Sequence, residues 1–206
     1  MSDDAQLVQA WMSGDNDAGA RLVERHYDAV VRFFQTKAGR AADDLVQKTF
    51  LALAEARTRF RGESSFKSFL FGIARNVLFA HLRGMAKDKS RIDGDFGVSS
   101  IREFDPGVST VAIHRAEKRL LVEGLQRLPV ELQLALELYY WEELSVAELA
   151  QVLEIPPGTV KSRLHRGRQL LREAMEDLPG NAEHHASVRQ LIDDWAHDVR
   201  GRHALG

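Results

Sequence analysis

The sequence predicts an all-α fold of two small helical domains joined by a flexible linker, the second domain with a helix-turn-helix. Three observations predict it. Apolar residues recur three or four positions apart in both halves of the chain, as they do on the buried side of helices. Over residues 84–110 this periodicity disappears, while glycine, serine and proline accumulate. Over residues 144–172, two short helical patterns flank a Pro-Pro-Gly turn.

The composition limits the classes of function. A chain of 206 residues accommodates one or two domains of about 150 residues. Its formal net charge of −2 means that affinity for nucleic acid requires locally clustered basic side chains. The absence of cysteine excludes disulfides, a zinc finger and a thiol switch. The N-terminus has no signal-peptide pattern, and no apolar run approaches the ~18 residues of a membrane span. We expect a cytoplasmic protein without membrane insertion.

The first domain is predicted to begin with three helices. Residues 4–12 form a short one, and Asp15 or Asn16 caps a longer one that ends at Gly39. A third begins near Ala41, with an apolar stripe typical of an amphipathic helix in a bundle.

A fourth helix is predicted to start after Ser65, its N-cap. Its apolar stripe is the most regular in the chain, and lysine, arginine and histidine side chains surround it. Phe71 and Phe79 lie off the main stripe. Aromatic rings mixed with cations suit single-stranded nucleic acid, because rings stack on bases and cations follow phosphates. Each phenylalanine taken singly also fits a position in the core.

The second domain is predicted to contain two supporting helices, beginning at Ser109 and Pro129, before the helix-turn-helix. Ser145 and Glu148 form a capping box at the start of its first helix. The second helix carries no acid between Glu154 and Glu173, so all of its charged side chains in this stretch are basic. A short basic helix joined to a partner by a tight turn is typical of a helix that enters the DNA major groove. The alternative is a merely basic surface helix.

Beyond Leu178 the chain continues into a further predicted amphipathic helix. Its apolar residues are Val188, Leu191, Ile192, Trp195 and Val199. A helix docked on a domain, or an autoinhibitory one, is expected. The histidines of this tail lack the spacing of a known metal motif, and we expect no metal, cofactor or catalytic residue.

The segment YYWEELSVAELAQVLEIPPGTVKSRLHRGRQLLRE resembles the C-terminal DNA-binding domain of bacterial sigma factors, particularly the extracytoplasmic-function (ECF) group. The resemblance implies that the second helix reads the −35 promoter element. Its position on the helix predicts that Arg166 faces base edges with Lys161, Ser162 and His165, while Arg163 and Arg168 meet phosphate. The full predicted −35 set is Thr159, Lys161, Ser162, Arg163, His165, Arg166 and Arg168.

Two segments of the first half are similar to the same family. DDLVQKTFLAL resembles the ECF segment that docks on RNA polymerase, and FRGESSFKSFLFGIARNVLFAHLR resembles the segment that melts the −10 element. Phe69 stands where the family commonly has tryptophan. The implied polymerase-binding residues are Asp44, Leu45, Gln47 and Phe50. The implied −10 residues are Gly62, Glu63, Ser64, Ser65, Phe66, Phe69, Arg75 and Asn76.

The resemblance implies domains at 1–84 and 111–178, a linker at 85–110 and a C-terminal extension at 179–206. It implies a factor that binds core RNA polymerase, directs it to promoter DNA and helps to open it, without being an enzyme. An anti-sigma factor or a Ser/Thr kinase is a candidate regulator. The alternative function is a dimeric helix-turn-helix regulator of the response-regulator type, and a metal enzyme is a more distant one.

Lys48 and Thr49 suggest a phosphorylation switch. ECF factors commonly have Glu or Asp where Lys48 stands, so lysine replaces attraction to polymerase with repulsion. A phosphate on Thr49 would restore negative charge. The alternative is that Lys48 simply faces solvent.

Overall fold

A computed structural model of the protein describes residues 3–89, 115–179 and 182–203. The described residues form helices joined by turns and short loops, without strands, which confirms the predicted all-α class. In chain order the helices are α1 Asp3–Met12, α2 Asn16–Ala38, α3 Ala42–Ala56, α4 Phe66–Lys89, α5 Arg115–Gln126, α6 Val130–Tyr140, α7 Val146–Leu153, α8 Pro157–Glu176 and α9 Ala182–His203. Single turns of 3₁₀ helix, Gly39–Ala41 and Arg57–Arg59, flank α3.

The chain divides into two compact units, as the sequence predicts. Helices α1 to α4 form the first unit, and the helices from α5 onward form most of the second. Helix α4 continues past the predicted domain end at residue 84 as far as Lys89. The rest of the predicted linker at 85–110, with the helix start expected at Ser109, lies outside the described residues.

The first unit is built around α2, against which α1, α3 and α4 all pack. Asp15 caps α2, because its carboxylate accepts hydrogen bonds from the amides of Asp17 and Ala18. The core includes Phe33, Phe34 and Phe71. The ring centroid of Phe33 lies 5.0 Å from that of Phe34 and 5.6 Å from that of Phe71. Phe71 is therefore a core residue and not part of an exposed aromatic surface.

The second unit is built around α6, in which every residue from Leu132 to Tyr139 is buried. Helix α8 crosses α6 closely at Gly167, where a Cβ would lie 3.1 Å from Cδ1 of Leu136. Helix α5 approaches α8 in the same way at Gly124. One side of α8 is therefore packed against α5 and α6, and the opposite side is exposed to solvent.

Helix α9 packs on α5 and α8, so the predicted docked helix is present. Val188 and Ile192 are buried in this contact, and Arg172 of α8 forms an ion pair with Asp193. The side chains of Trp195 and Val199, predicted to continue the apolar stripe, lie outside the described residues.

Candidate nucleic-acid and partner interfaces

The helix-turn-helix begins as the sequence predicts. The backbone amide and hydroxyl of Ser145 donate to Oε2 of Glu148 at 2.9 and 2.8 Å, and the amide of Glu148 donates to Oγ of Ser145 at 3.2 Å. Glu154 ends α7 with a φ of 55°, and Pro157 opens α8. These local signals fix where α8 starts and hence which of its residues come first.

Helix α8 has a buried stripe and an exposed face. Val160, Leu164, Gly167, Leu171 and Met175 are buried. The exposed face consists of Thr159, Lys161, Ser162, His165 and Arg166, with Arg163 half-buried beside it. The hydroxyl of Ser162 donates to the carbonyl of Gly158 at 2.8 Å. Six of the seven residues predicted for the −35 element are therefore accessible together on one side of the helix.

Arg168 does not belong to that face, and its predicted contact with phosphate is corrected. The residue is 8% exposed, and its Nη1 donates to the hydroxyl of Tyr140 at 3.0 Å. It follows Leu164 by four residues, which puts it on the buried stripe of α8. Its guanidinium joins α8 to the end of α6 instead of pointing into solvent.

The predicted −10 segment is a short loop, residues 61–65, between the 3₁₀ turn and α4. Gly62 has a φ of 73°, a conformation that favours glycine. The hydroxyl of Ser65 caps α4, because it accepts from the amide of Ser68 at 3.2 Å. Gly62, Glu63 and Ser65 are exposed and Ser64 is half-buried. The loop offers these four residues to a partner.

Phe66 and Phe69 differ from the rest of the predicted −10 set. Phe66 is buried, so its ring lies in the core of the first unit and not on the exposed surface of the loop. Its ring packs on His26 at 5.4 Å and on Phe60 at 6.4 Å, between centroids. Phe69 is half-buried and packs on Phe60 at 5.2 Å. These rings support the loop from beneath.

Arg75 and Asn76 lie next to each other on α4. Nη1 of Arg75 donates to Oδ1 of Asn76 at 3.3 Å, and its guanidinium lies 5.2 Å from the ring centroid of Phe79. Nine residues along a helix correspond to about 14 Å, so Arg75 is well separated from Phe66 along α4. The loop and this pair are two distinct sections of the predicted −10 surface.

The predicted polymerase-binding residues of α3 are only partly accessible. Asp44 and Gln47 are exposed, whereas Leu45 is 1% exposed, so its predicted contact with polymerase is corrected to a core role. Phe50 is half-buried and stacks on Tyr27, with 5.9 Å between ring centroids. Leu51 is absent from the predicted polymerase-binding set, but it is 65% exposed and follows Gln47 by one helical turn. It is therefore a further candidate for this surface.

Lys48 does not stand alone as a repulsive charge. Its Nζ lies 2.6 Å from Oδ2 of Asp44, one turn earlier on the same exposed face of α3. The two charges offset each other locally.

The structure places Thr49, the proposed phosphorylation site, in the interior of the first unit. Thr49 is 0% exposed, and its hydroxyl donates to the carbonyl of Leu45 at 2.8 Å. The residue lies four positions after Leu45 and four before Leu53, within the buried stripe of α3. Phosphorylation of this hydroxyl would require the first unit to open locally, because a phosphate there would enter the core.

Within residues 3–89, 115–179 and 182–203, no helix is long and apolar enough to cross a membrane. In the same part of the chain, no three acidic or histidine side chains converge as metal ligands would. The side chains of the tail residues His197 and His203 lie outside the described residues.

Comparisons with known proteins match both units. The family model Sigma-70 region 2 matches residues 22–87, and Sigma-70 region 4 matches residues 118–171. The RNA polymerase sigma-H factor of Pseudomonas aeruginosa is 30% identical over 187 residues, covering 85% of this chain and 95% of that protein. The ECF RNA polymerase sigma factor SigW of Bacillus subtilis is 28% identical over 178 residues, covering 80% and 92% respectively.

Solved structures share the fold. The sigma factor RpoE of Bartonella quintana, in complex with the anti-sigma factor NepR, has a TM-score of 0.63 at 24% identity, covering 80% of this chain and 99% of that one. CnrH, in complex with the cytosolic domain of CnrY, has a TM-score of 0.62 at 22% identity, covering 85% and 98%.

The match to region 2 leaves the alternative of a response-regulator-type protein unsupported. Sigma factors are initiation factors and not enzymes by themselves. With the sigma-70 regions 2 and 4 in order along one chain and a sigma-factor relative matched over 95% of its length, this chain belongs to the ECF group of RNA polymerase sigma factors, which direct core polymerase to promoters and initiate transcription.

Proposed function

We propose that the two units divide promoter recognition between them. The second unit, predicted at 111–178, reads the −35 element with the exposed face of α8. The first unit, predicted at 1–84, binds core polymerase through α3 and receives the unpaired −10 strand at loop 61–65. The segment 85–110 links them, and the extension from residue 179 supports the second unit.

The observation that carries this proposal is the face of α8. Val160 and Leu164 anchor one side of the helix in the core, so Lys161, His165 and Arg166 project from the other side near its N-terminus. Exposed residues near the start of a recognition helix are those that reach base edges in the major groove. Arginine suits guanine there, because its two donors match the O6 and N7 acceptors. Arg163, at the flank of this face, is proposed to meet a phosphate.

Loop 61–65 and the α4 pair supply what an unpaired strand needs. Gly62 leaves the backbone open to close approach, and Glu63, Ser64 and Ser65 carry acceptors or donors for base edges. Arg75 and Asn76 lie farther along α4, where a cation and an amide suit the sugar-phosphate backbone. Extruding a base costs a few kcal/mol of stacking energy, which such contacts offset.

Core polymerase is proposed to bind the exposed edge of α3. Asp44 and Gln47 are the accessible members of the predicted set, and Leu51 extends the same edge with an apolar side chain. We also propose a cytoplasmic location and no covalent chemistry, since promoter binding and opening require neither secretion nor bond formation. An anti-sigma factor is a proposed partner by analogy with the Bartonella quintana complex.

Transcription by reconstituted holoenzyme tests the proposal. The purified chain is added to core polymerase on fragmented chromosomal DNA, and the 5′ ends of the products are mapped. We expect transcription starts downstream of a shared pair of promoter elements. These starts should be absent when core polymerase is used alone. Starts independent of the added chain would contradict the function.

Two arginine variants test the division of roles on α8. Arg166→Ala is expected to cost about 1–3 kcal/mol in binding to the mapped promoter and to relax specificity at one position. Arg163→Ala is expected to weaken binding to all sequences and to lower the salt slope by about one. Arg119→Ala is the matched control, because Arg119 is exposed on α5 and pairs with Glu123. Equal effects of the first two variants on every sequence would contradict the division.

A further inference from the structure

Loop 61–65 is flanked by packed aromatic rings, those of Phe60, Phe66 and Phe69. Phe60 and Phe66, at its two ends, meet in a T-shaped contact with 6.4 Å between ring centroids, and Phe69 packs on Phe60. The two ends of the loop are therefore held together. Because Phe66 is buried while the residues between are mostly exposed, the position of Phe66 sets the position of the loop.

His26 of α2 holds Phe66 from the other side. The imidazole is 7% exposed, and its ring centroid lies 5.4 Å from that of Phe66. Nε2 of His26 lies 2.8 Å from Oδ2 of Asp4 on α1. An ionised carboxylate only accepts hydrogen bonds, so Nε2 carries the proton and donates. The same carboxylate accepts from Nη1 of Arg25 at 2.6 Å through its other oxygen.

Helix α1 packs on α2 and α4, and this packing holds Asp4 beside His26. Leu7, Val8 and Trp11 are buried. The indole of Trp11 lies so close to Gly19 of α2 that a Cβ there would be 2.4 Å from Nε1. Helix α1 also packs on α4. It precedes residues 22–87, the part of the chain that matches the region 2 model.

We propose that α1 positions the −10 loop for promoter opening, through the contacts that run from Asp4 to His26 to Phe66. The inference rests on the proposed role of loop 61–65 in receiving the unpaired strand. Asp4 and His26 are positioning residues, because their proposed effect on the loop is exerted through Phe66 and not by contact with DNA. The buried ring of Phe66 transmits their position to Ser65 and the rest of the loop.

Two variants break these contacts, and a third is their matched control. Asp4→Ala removes the acceptor that orients the imidazole. His26→Gln keeps a donor for Asp4 and removes the ring that packs on Phe66. Arg25→Gln weakens the same link between α1 and α2 but leaves the contacts of His26 in place. Circular dichroism and thermal melting confirm that each variant is folded.

Two measurements separate positioning from general stability. Amide hydrogen exchange over residues 60–66 of the free protein reports the loop directly. In reconstituted holoenzyme on the mapped promoter, 2-aminopurine fluorescence in the −10 element reports opening, and gel filtration reports assembly with core polymerase.

Asp4→Ala and His26→Gln are expected to raise exchange and slow opening by about 3- to 10-fold each, the scale of one lost hydrogen bond or ring contact. Assembly should remain unchanged. Arg25→Gln should change both quantities by less than about two-fold, because partly exposed ion pairs contribute little.

Unchanged exchange over residues 60–66 in both variants would overturn the inference. Normal opening despite raised exchange would also overturn it. Glu63→Ala distinguishes this failure from that of the proposed function: if it slows opening, the loop acts in opening and only the positioning role is wrong. If Glu63→Ala opens promoters normally, the role of the loop is wrong, and the inference falls with it.

Discussion

At the scale of single residues, burial separates side chains of the same chemistry. Arg166 and Arg168 stand two positions apart on α8, yet one is exposed and the other donates to Tyr140 inside the unit. Ser64 and Thr49 are both hydroxyl residues, but only Ser64 is partly accessible to a partner. A role in binding therefore depends on the side of the helix that a residue occupies, and not on its type alone.

Thr49 gives a test at this scale. Thr49→Asp, a mimic of phosphorylation, places a carboxylate in a 0% exposed position of the core. An unpaired buried charge costs about 3–5 kcal/mol, so the variant is expected to unfold more readily and to bind core polymerase less well. Thr49→Val is the control and should cost about 1 kcal/mol, the value of one hydrogen bond.

Urea unfolding and holoenzyme assembly measure both Thr49 variants. Tighter polymerase binding by a fully folded Thr49→Asp protein would support the phosphorylation hypothesis.

Asp4 gives a pH-dependent test. Partial burial by itself raises the pKa of Asp4, but hydrogen bonds from Arg25 and His26 and their positive charges outweigh it, so the pKa lies below its ordinary value. A lowered pKa means that the folded state holds the proton less tightly than the unfolded state. The stabilisation is therefore present above the unfolded pKa of about 3.9 and is lost as pH falls through the folded pKa.

Asp4→Ala should lower the free energy of unfolding by about 1 kcal/mol at pH 7, a small loss because the ion pair between Asp4 and Arg25 is partly exposed. The difference from the parent chain should shrink as pH falls below about 4. Urea unfolding of both proteins across this pH range measures it. A difference that is independent of pH would show that the carboxylate charge does not contribute.

At the scale of elements, α9 is the helix whose role the sequence left open between docking and autoinhibition. Its buried Val188 and Ile192 pack against α5 and α8. Fully burying one aliphatic side chain contributes about 1.5–3 kcal/mol. The structure therefore favours a helix that stabilises the second unit and, through it, the position of α8.

A chain ending at Pro179 should lose about 3–6 kcal/mol of unfolding free energy, and Ile192→Ala should lose about 2–5 kcal/mol and no more than the truncation. Ser187→Ala is the control, because Ser187 is exposed on the same helix. Thermal melting and urea unfolding measure the loss. A shortened chain that stays fully stable and transcribes more than the whole protein would show that the tail restrains activity instead.

At the scale of the whole molecule, two units with separate cores carry different chemistry on one chain. The net charge is only −2, yet the exposed start of α8 is basic and the exposed side of α3 carries Asp43 and Asp44 against the single lysine Lys48. Segregation of charge lets a nearly neutral protein bind both DNA and a protein partner, because screening confines each charge to about 8–10 Å.

Fragments test whether each unit folds by itself. Residues 1–89 and 111–206 are each expected to be helical and to unfold in one cooperative transition, because each contains its own buried core. Circular dichroism during heating measures this. A fragment without a cooperative transition would show that the two units need each other to fold.

Local sequence signals were sufficient to predict the helices, their caps and the helix-turn-helix. Apolar spacing, the capping box at Ser145 and the proline pair are local signals, and they depend only on neighbours along the chain. The two-unit division also followed from the sequence, because the helical periodicity stops between the two halves of the chain.

Packing between distant parts of the chain sets which predicted site residues are available. Arg168, Thr49, Leu45 and Phe66 lie on the buried sides of their helices. Whether such a residue is buried depends on the helix that packs against it, and that helix comes from a distant part of the chain. The contact from Asp4 through His26 to Phe66 joins three helices in the same way, and no local pattern encodes it.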